Sequence, residues 1–261
     1  MINDFNLNNI VWMKGNRDLP EPFYRIKVPS VTTIISEMVC DPDFEAFIQS
    51  VGKERADQIM QAAAYKGTSM HTFIENFITH YHKTKDISEA LKYTQVQSIE
   101  VLKKENIPEI KIKEGRELFY KFYYSEHVNK FLDLIGVEIG IYSPTYFYRG
   151  KLDILHNDSV FKISVTDLKS AGSYIKKGSV KELKYKLQLG AYALALEDMK
   201  KDSGLIVNKA SVLCVTPTSD ILQEIVIAGN ELLKYKEEFK TLVKEYHIIN
   251  KQEYLLQNLK S

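Results

Sequence analysis

The sequence predicts an α/β fold, a mixed β-sheet flanked by helices, with a helical region ahead of it. Three observations predict it. Short runs rich in Val, Ile, Phe, Tyr and Thr recur in the second half of the chain, at 137–142, 145–155, 160–170, 210–216 and 222–227. Helical apolar spacing interleaves with them from Lys181 to Met199 and again after Gly229-Asn230. The first half, from Asp43 to Ile135, carries helical periodicity instead. The expected division is a lead-in and helical region over 1–135 and a core with its closing helix over 136–261, folded as one continuous domain.

Along the chain, Met1 to Lys27 reads as a polar, partly extended lead-in that holds the only tryptophan, Trp12. Asp41-Pro42 then starts a helix over Asp43 to Ala64, and Gly67 is expected to break it. The next helix buries Met70, Phe73, Ile74, Phe77, Ile78 and Tyr81. Lys83 to Arg116 reads as two helices parted near Asn106-Ile107-Pro108, an insertion that shapes a groove or lid. Glu117 to Ile135 forms a further helix whose aromatic stripe, Leu118 to Tyr124, reads as core. In the core, His156-Asn157-Asp158-Ser159 is the turn between the second and third strands. The Lys181 helix turns Leu183, Leu187, Ala191 and Leu194 to one apolar face. The closing helix buries Leu232, Leu233, Tyr235, Phe239, Leu242, Val243 and Tyr246.

Composition excludes several classes. A hydrophobic fraction of 44% marks a folded globular chain and not a disordered one. No apolar run reaches ~18 residues, so no membrane span is expected. Met1-Ile2-Asn3-Asp4-Phe5 lacks the order of a secretion signal and the arginines of a transit peptide, so a soluble intracellular protein is expected. Only Cys40 and Cys214 are present, which excludes a disulfide framework. There is no repeat, no low-complexity tract and no Gly-x4-Gly-Lys-Ser/Thr loop.

The chemistry concentrates in Gly150-Lys151-Leu152-Asp153 and Thr166-Asp167-Leu168-Lys169-Ser170. Side chains alternate along a strand, so Asp167 and Lys169 share one face while Leu168 points to the other. By the same rule Arg149, Lys151 and Asp153 face one way and Tyr148, Leu152 and Ile154 the other. A hairpin brings Asp153 near Asp167. Asp153, Asp167 and the Leu168 main-chain carbonyl are oxygen donors of the kind that Mg²⁺ or Mn²⁺ selects. Such a metal activates water and neutralises charge on a phosphate. Lys169 beside it would orient that water or stabilise the transition state. The competing reading is an exposed Asp-x-Lys ion pair.

Context comes from both sides. Gln188 and Tyr192, at i and i+4, lie together on the Lys181 helix and would hold a phosphate if that helix returns over the sheet; otherwise they are a polar pair at the core rim. His71 borders the apolar stripe of its helix, a core or cap residue unless the helix packs beside the two strands. His71, His80 and His82 as a separate transition-metal site is a further alternative. Net charge is only +1, so a nucleic-acid footprint must be local. Lys176-Lys177-Gly178-Ser179-Val180-Lys181-Glu182-Leu183-Lys184-Tyr185-Lys186 is the candidate, five lysines against one glutamate. Tyr174 and Tyr185 flank it and are placed to stack on bases.

Gly67-x-x-x-His71, Glu138, Gly150-x-x-Asp153, Asp167-x-Lys169 and Gln188-x-x-x-Tyr192, in that order, resemble the PD-(D/E)xK nuclease superfamily in its RecB-like exonuclease branch. Pro29-Ser30-Val31-Thr32-Thr33-Ile34-Ile35 is similar to the opening segment of the mitochondrial genome maintenance exonuclease group and related viral nucleases. The resemblance runs from about Val28 to about Val215. It implies a restriction-endonuclease-like core and a Mg²⁺- or Mn²⁺-dependent DNA exonuclease acting on single strands or strand ends, in replication, repair or recombination and alongside the proteins of those processes. His71, Asp153 and Asp167 become metal ligands, Lys169 the catalytic lysine, Glu138 a partner through water or a second metal, and Gln188 and Tyr192 substrate-positioning residues. Arg149, Lys151, Ser170, Lys176, Lys177, Lys181, Lys184 and Tyr185 become nucleic-acid contacts. Ser170-Ala171 departs from the Thr-Ser that relatives often carry there. Two cysteines cannot hold the four-thiolate iron-sulfur cluster of some RecB-like nucleases. A flap-cutting endonuclease and a non-catalytic nucleic-acid-binding module stay open as alternatives.

Overall fold

The computed structural model describes residues 28–131, 133–160 and 162–252. The lead-in with Trp12 lies outside them. Helices α1 (Val31–Met38), α2 (Pro42–Val51), α3 (Lys53–Thr84), α4 (Ile87–Lys104) and α5 (Glu109–Tyr123) come first, followed by a 3₁₀ turn at Glu126–Phe131. The core then runs β1 (Leu134–Ser143), β2 (Tyr148–Asp158), β3 (Lys162–Ser170), α6 (Val180–Met199), β4 (Lys209–Val215), β5 (Gln223–Ala228) and α7 (Asn230–Ile249). The five strands form one sheet in sequence order. Every neighbouring pair is antiparallel except β3 and β4, which α6 joins as a parallel crossover.

Apolar clusters cover both faces of this mixed sheet. One gathers α1, α6 and α7 around Ile139, Ile141, Tyr148, Leu152, Val165 and Val212. The other packs α3, α4 and α5 on Ile154, Leu168, Leu213 and Val215. Phe119 and Phe122 of the aromatic stripe are core, whereas Tyr124 is exposed. Among the described residues no helix is long and apolar enough to cross a membrane.

Several elements differ from the sequence expectation. Gly67 does not break a helix: α3 runs unbroken through it, and the break falls at Gly52, at φ 80°. A Cβ on Gly67 would stand 3.1 Å from Ser170 Oγ, so the glycine lets α3 approach the end of β3. Helix α5 starts after Pro108 and absorbs the two segments expected to meet at Arg116. The β1–β2 turn sits where β2 was expected to begin, because Asp198 of α6 holds it through Ser143 Oγ, Thr145 N and Thr145 Oγ1. At its far end β2 runs on through His156, Asn157 and Asp158, which pair with Ser164, Ile163 and Lys162. Residues Leu187 to Leu196 of α6 are buried on every side, between the sheet and α7, so the helix is not amphipathic there. On α7, Leu233 is exposed.

Candidate active site

Regular alternation places Leu152 in the α6 cluster and Asp153 on the opposite side, but Ile154 joins the α3 cluster and Leu155 returns to the α6 side. Strand β2 is thus locally distorted at Asp153, and the expected common face of Leu152 and Ile154 is not formed. Opposite, Glu138 of β1 takes φ 53° between the paired residues Val137 and Ile139. A left-handed backbone costs a non-glycine residue of the order of 1 kcal/mol and recurs at functional sites. Its effect here is to bring the Glu138 carboxylate to the α3 side.

Three donors meet there: one ligand atom from each of His71, Glu138 and Asp153 lies within 4.8 Å of the others. His71 Nδ1 is 3.4 Å from Asp153 Oδ1 and 3.8 Å from Glu138. Helix α3 delivers the imidazole because its Met70–Ile78 stripe is buried against the sheet. Burial opposes a charge on His71, but the Asp153 and Glu138 carboxylates outweigh it and raise its pKa to about 10. Burial likewise pushes against ionised Asp153, yet His71, Lys169 and the Leu168 N–H hold its pKa below the usual range.

Backbone pairing of β2 with β3 stops at Ile154 and Thr166. Beyond it the Leu168 N–H donates to Asp153 Oδ2 at 2.6 Å. Asp167 sits on the other side of this gap, nearly inaccessible. Its Oδ1 accepts from Gln188 Nε2 at 3.3 Å, and Gln188 also donates to the Tyr192 hydroxyl at 2.6 Å. Lys169 Nζ lies 2.7 Å from the buried Asp167 Oδ2. Burial, with the Asp153 charge, pushes Asp167 up to about 6. For Lys169 burial opposes the charge, but Asp167 and Asp153 outweigh it and keep the ammonium protonated above its ordinary pKa. One nitrogen and two carboxylates, from His71, Glu138 and Asp153, are a donor set that can hold a divalent cation.

A cleft of about 1010 Å³ opens over this group, lined by Thr32, by Ala63, Ala64, Gly67 and Thr68 of α3, and by Lys151, Lys169 and Ser170. Glu75, Asn76 and Glu105 line it beyond His71. Gln188 and Tyr192 do not line it: both are buried, Gln188 contacts Asp167, and Tyr192 contacts Gln188. Gly150 of the first motif owes its identity to that arrangement, since a Cβ there would stand 2.9 Å from Tyr192 Cε1.

The expected nucleic-acid contacts divide. Lys151 and Ser170 line the cleft, and Lys151 pairs with Glu138. Arg149 instead braces the segment before α1, its Nε donating to Val28 O at 3.1 Å. Lys184 binds Asp41 at 2.9 Å, while Lys176, Lys177 and Lys181 are exposed, and none of these lysines lines the cleft. Tyr174 is held by Ser219 and Ile221. His80 pairs with Glu89 and stacks on Tyr93, and His82 contacts Lys85, so neither joins His71. Sequence reading missed the Leu168 N–H, the φ of Glu138 and the small-residue wall of α3. Of these only the last left a signal, in Ala63, Ala64, Gly67 and Thr68 at helical spacing.

No curated protein matches the chain. Among solved structures, a presumed exonuclease from Eubacterium rectale is similar at 11% identity over 72% of this chain and 68% of that one, with a TM-score of 0.44. A protein named SSO0001 is similar at 18% identity and a TM-score of 0.23 over 36% of this chain, which spans 41% of that protein's length. A family model described as the PD-(D/E)XK nuclease superfamily matches residues 38–255, most of the chain and every motif residue from His71 to Tyr192. With that match added to Asp153, Asp167 and Lys169 on adjacent strands beside one cleft, the chain belongs to the PD-(D/E)XK nuclease superfamily.

Proposed function

We propose that this protein is a divalent-metal-dependent DNA exonuclease of the RecB-like branch, related to the mitochondrial genome maintenance group. It hydrolyses phosphodiester bonds in single strands or at strand ends, during DNA replication, repair or recombination. The observation that carries the reading is the convergence of His71, Glu138 and Asp153 within 4.8 Å beside the Asp167–Lys169 pair.

His71, Glu138 and Asp153, with Asp167 Oδ2 and the Leu168 carbonyl close by in sequence, would hold Mg²⁺ or Mn²⁺. The bound metal supplies an acidified water and neutralises phosphate charge. Lys169 stands beside the reacting phosphate, where it orients the water or stabilises the charge of the transition state. Asp167 aims that lysine, and Gln188, itself bonded to Tyr192, holds Asp167. Ser170 and Lys151 on the cleft wall bind neighbouring phosphates, and the exposed Lys176, Lys177 and Lys181 extend the basic surface beyond it. A cleft of about 1010 Å³ is at the upper end of the roughly 300 to 1,000 Å³ of small-ligand sites, a size that suits a short single strand.

The test uses end-labelled linear and circular single-stranded DNA and duplex DNA with Mg²⁺ or Mn²⁺, comparing wild type with Asp167→Ala and Lys169→Ala. Metal-dependent shortening of linear strands by wild type alone is expected. Cleavage that survives both substitutions would sink the site, cutting of circles would show an endonuclease, and binding without cleavage a non-catalytic module.

A further inference from the structure

We propose that Tyr185 is a positioning residue that holds the Lys169 ammonium in its working place, and is not a base-stacking residue. The proposal rests on the nuclease reading above. Lys169 Nζ lies 5.6 Å from the centroid of the Tyr185 ring, within reach of the attraction between a cation and an aromatic face. The lysine side chain is only 24% exposed, so water screens that attraction weakly. Tyr185 is itself packed against the α6 cluster and is absent from the lining of the cleft. Burial pushes its phenol up to about 12, so the ring is neutral wherever the protein is folded and working.

The placement follows from helix geometry. Tyr185, Gln188 and Tyr192 stand at i, i+3 and i+7 and share one face of α6. Gln188 reaches Asp167 and bonds Tyr192, while Tyr185 reaches Lys169, so this single face supports both the acid and the lysine. The stem of Lys169 is set by the register of β3 against β4, where its partner is the buried Cys214. Its tip has two attractors, Asp167 Oδ2 on one side and the Tyr185 ring on the other. Without the ring, the ammonium keeps its contact with Asp167 but loses its second neighbour and is free to turn about that contact, and a displacement of about 1 Å is enough to cost a large part of the rate.

The test substitutes Tyr185 and reads kcat and KM separately on linear single-stranded DNA with Mn²⁺. Tyr185→Phe keeps the ring and should stay near wild type, whereas Tyr185→Leu should lose about tenfold in kcat with little change in KM. Phenylalanines carrying one to three ring fluorines at 185 keep the shape while weakening the ring face, which covers the case where the leucine variant folds poorly. A stepwise fall in kcat with fluorine supports the proposal. A flat kcat overturns it, and so does a rising KM at constant kcat, which would give the ring to the nucleic acid. Spectra of protein labelled at lysine ε-¹³C decide the contact independently of turnover. The Lys169 signal, identified by its loss in Lys169→Arg, should be ring-shifted in wild type and Tyr185→Phe but not in Tyr185→Leu. An unmoved signal overturns the proposal even if wild type proves inactive, a result that would separately strike the nuclease reading.

Discussion

Asp153 Oδ2 accepts the Leu168 N–H at 2.6 Å, where backbone pairing between β2 and β3 has already ended. A carboxylate thus replaces a backbone acceptor in tying the two motif strands together, and its other oxygen is left for His71.

This double duty separates two substitutions. Asp153→Asn keeps an acceptor for Leu168 but loses the charge that pairs with His71, so it should lose metal-dependent activity and part of its urea stability. Asp153→Ala leaves a buried N–H unsatisfied and should cost a further ~1–3 kcal/mol in urea unfolding. Equal stability of the two variants would show that the bond contributes nothing.

Gly150 and Gly67 test the two close approaches around the site. Gly150→Ala drives a Cβ to 2.9 Å from the Tyr192 ring, which is fixed in the core, and should cost ~1–3 kcal/mol and disturb the Gln188–Tyr192 bond. Gly67→Ala meets only Ser170 Oγ at 3.1 Å, a rotatable side chain, and should be milder. Thermal unfolding of the pair checks the ranking.

Metal binding should stabilise the fold. Mn²⁺ should raise the thermal midpoint in a concentration-dependent way that a chelator reverses, because the ion binds the assembled donors and not the unfolded chain. Glu138→Gln and His71→Ala should each reduce that shift in calorimetry or thermal melts. A shift unchanged in both variants would place the ion elsewhere.

His156 gives a pH dependence remote from the metal donors. Burial, only partly offset by its bond to the Asn157 carbonyl, lowers its pKa below the ordinary histidine value. The unfolded chain therefore takes the proton first, so stability present above ~6.5 is lost as pH falls from there through the lower folded value. Urea midpoints at about pH 7.5 and 5.5 should differ more for wild type than for His156→Gln. An equal difference would remove His156 from the acid response.

Much of the site was legible as residue identities. Asp153, Asp167 and Lys169 stand out because strand periodicity surrounds them, and His71 because the apolar stripe of α3 fixes which side it borders. The roles were less legible. Glu138 looked peripheral, yet its backbone at φ 53° brings it into the donor trio. Asp167 is expected as a ligand, and its oxygens stand beside Lys169 and Gln188 as well, a contact that strand periodicity does not reveal. Within the lysine segment, Lys184 pairs with Asp41, the N-cap residue of α2, while Lys176, Lys177 and Lys181 are exposed. Each of these outcomes depends on a partner distant in the chain, which no local pattern encodes.

By itself the sequence determined the alternation of strands and helices and the order of the motif residues, since both follow from local periodicity and side-chain chemistry. The tertiary structure alone decided that Gly67 is a point of close approach inside one long helix, that Gln188 bridges Asp167 and Tyr192, and that β2 and β3 part where Asp153 takes over from the backbone. The physical reason is that these depend on how closely separate elements pack, a property of filled volume between them and not of any single segment.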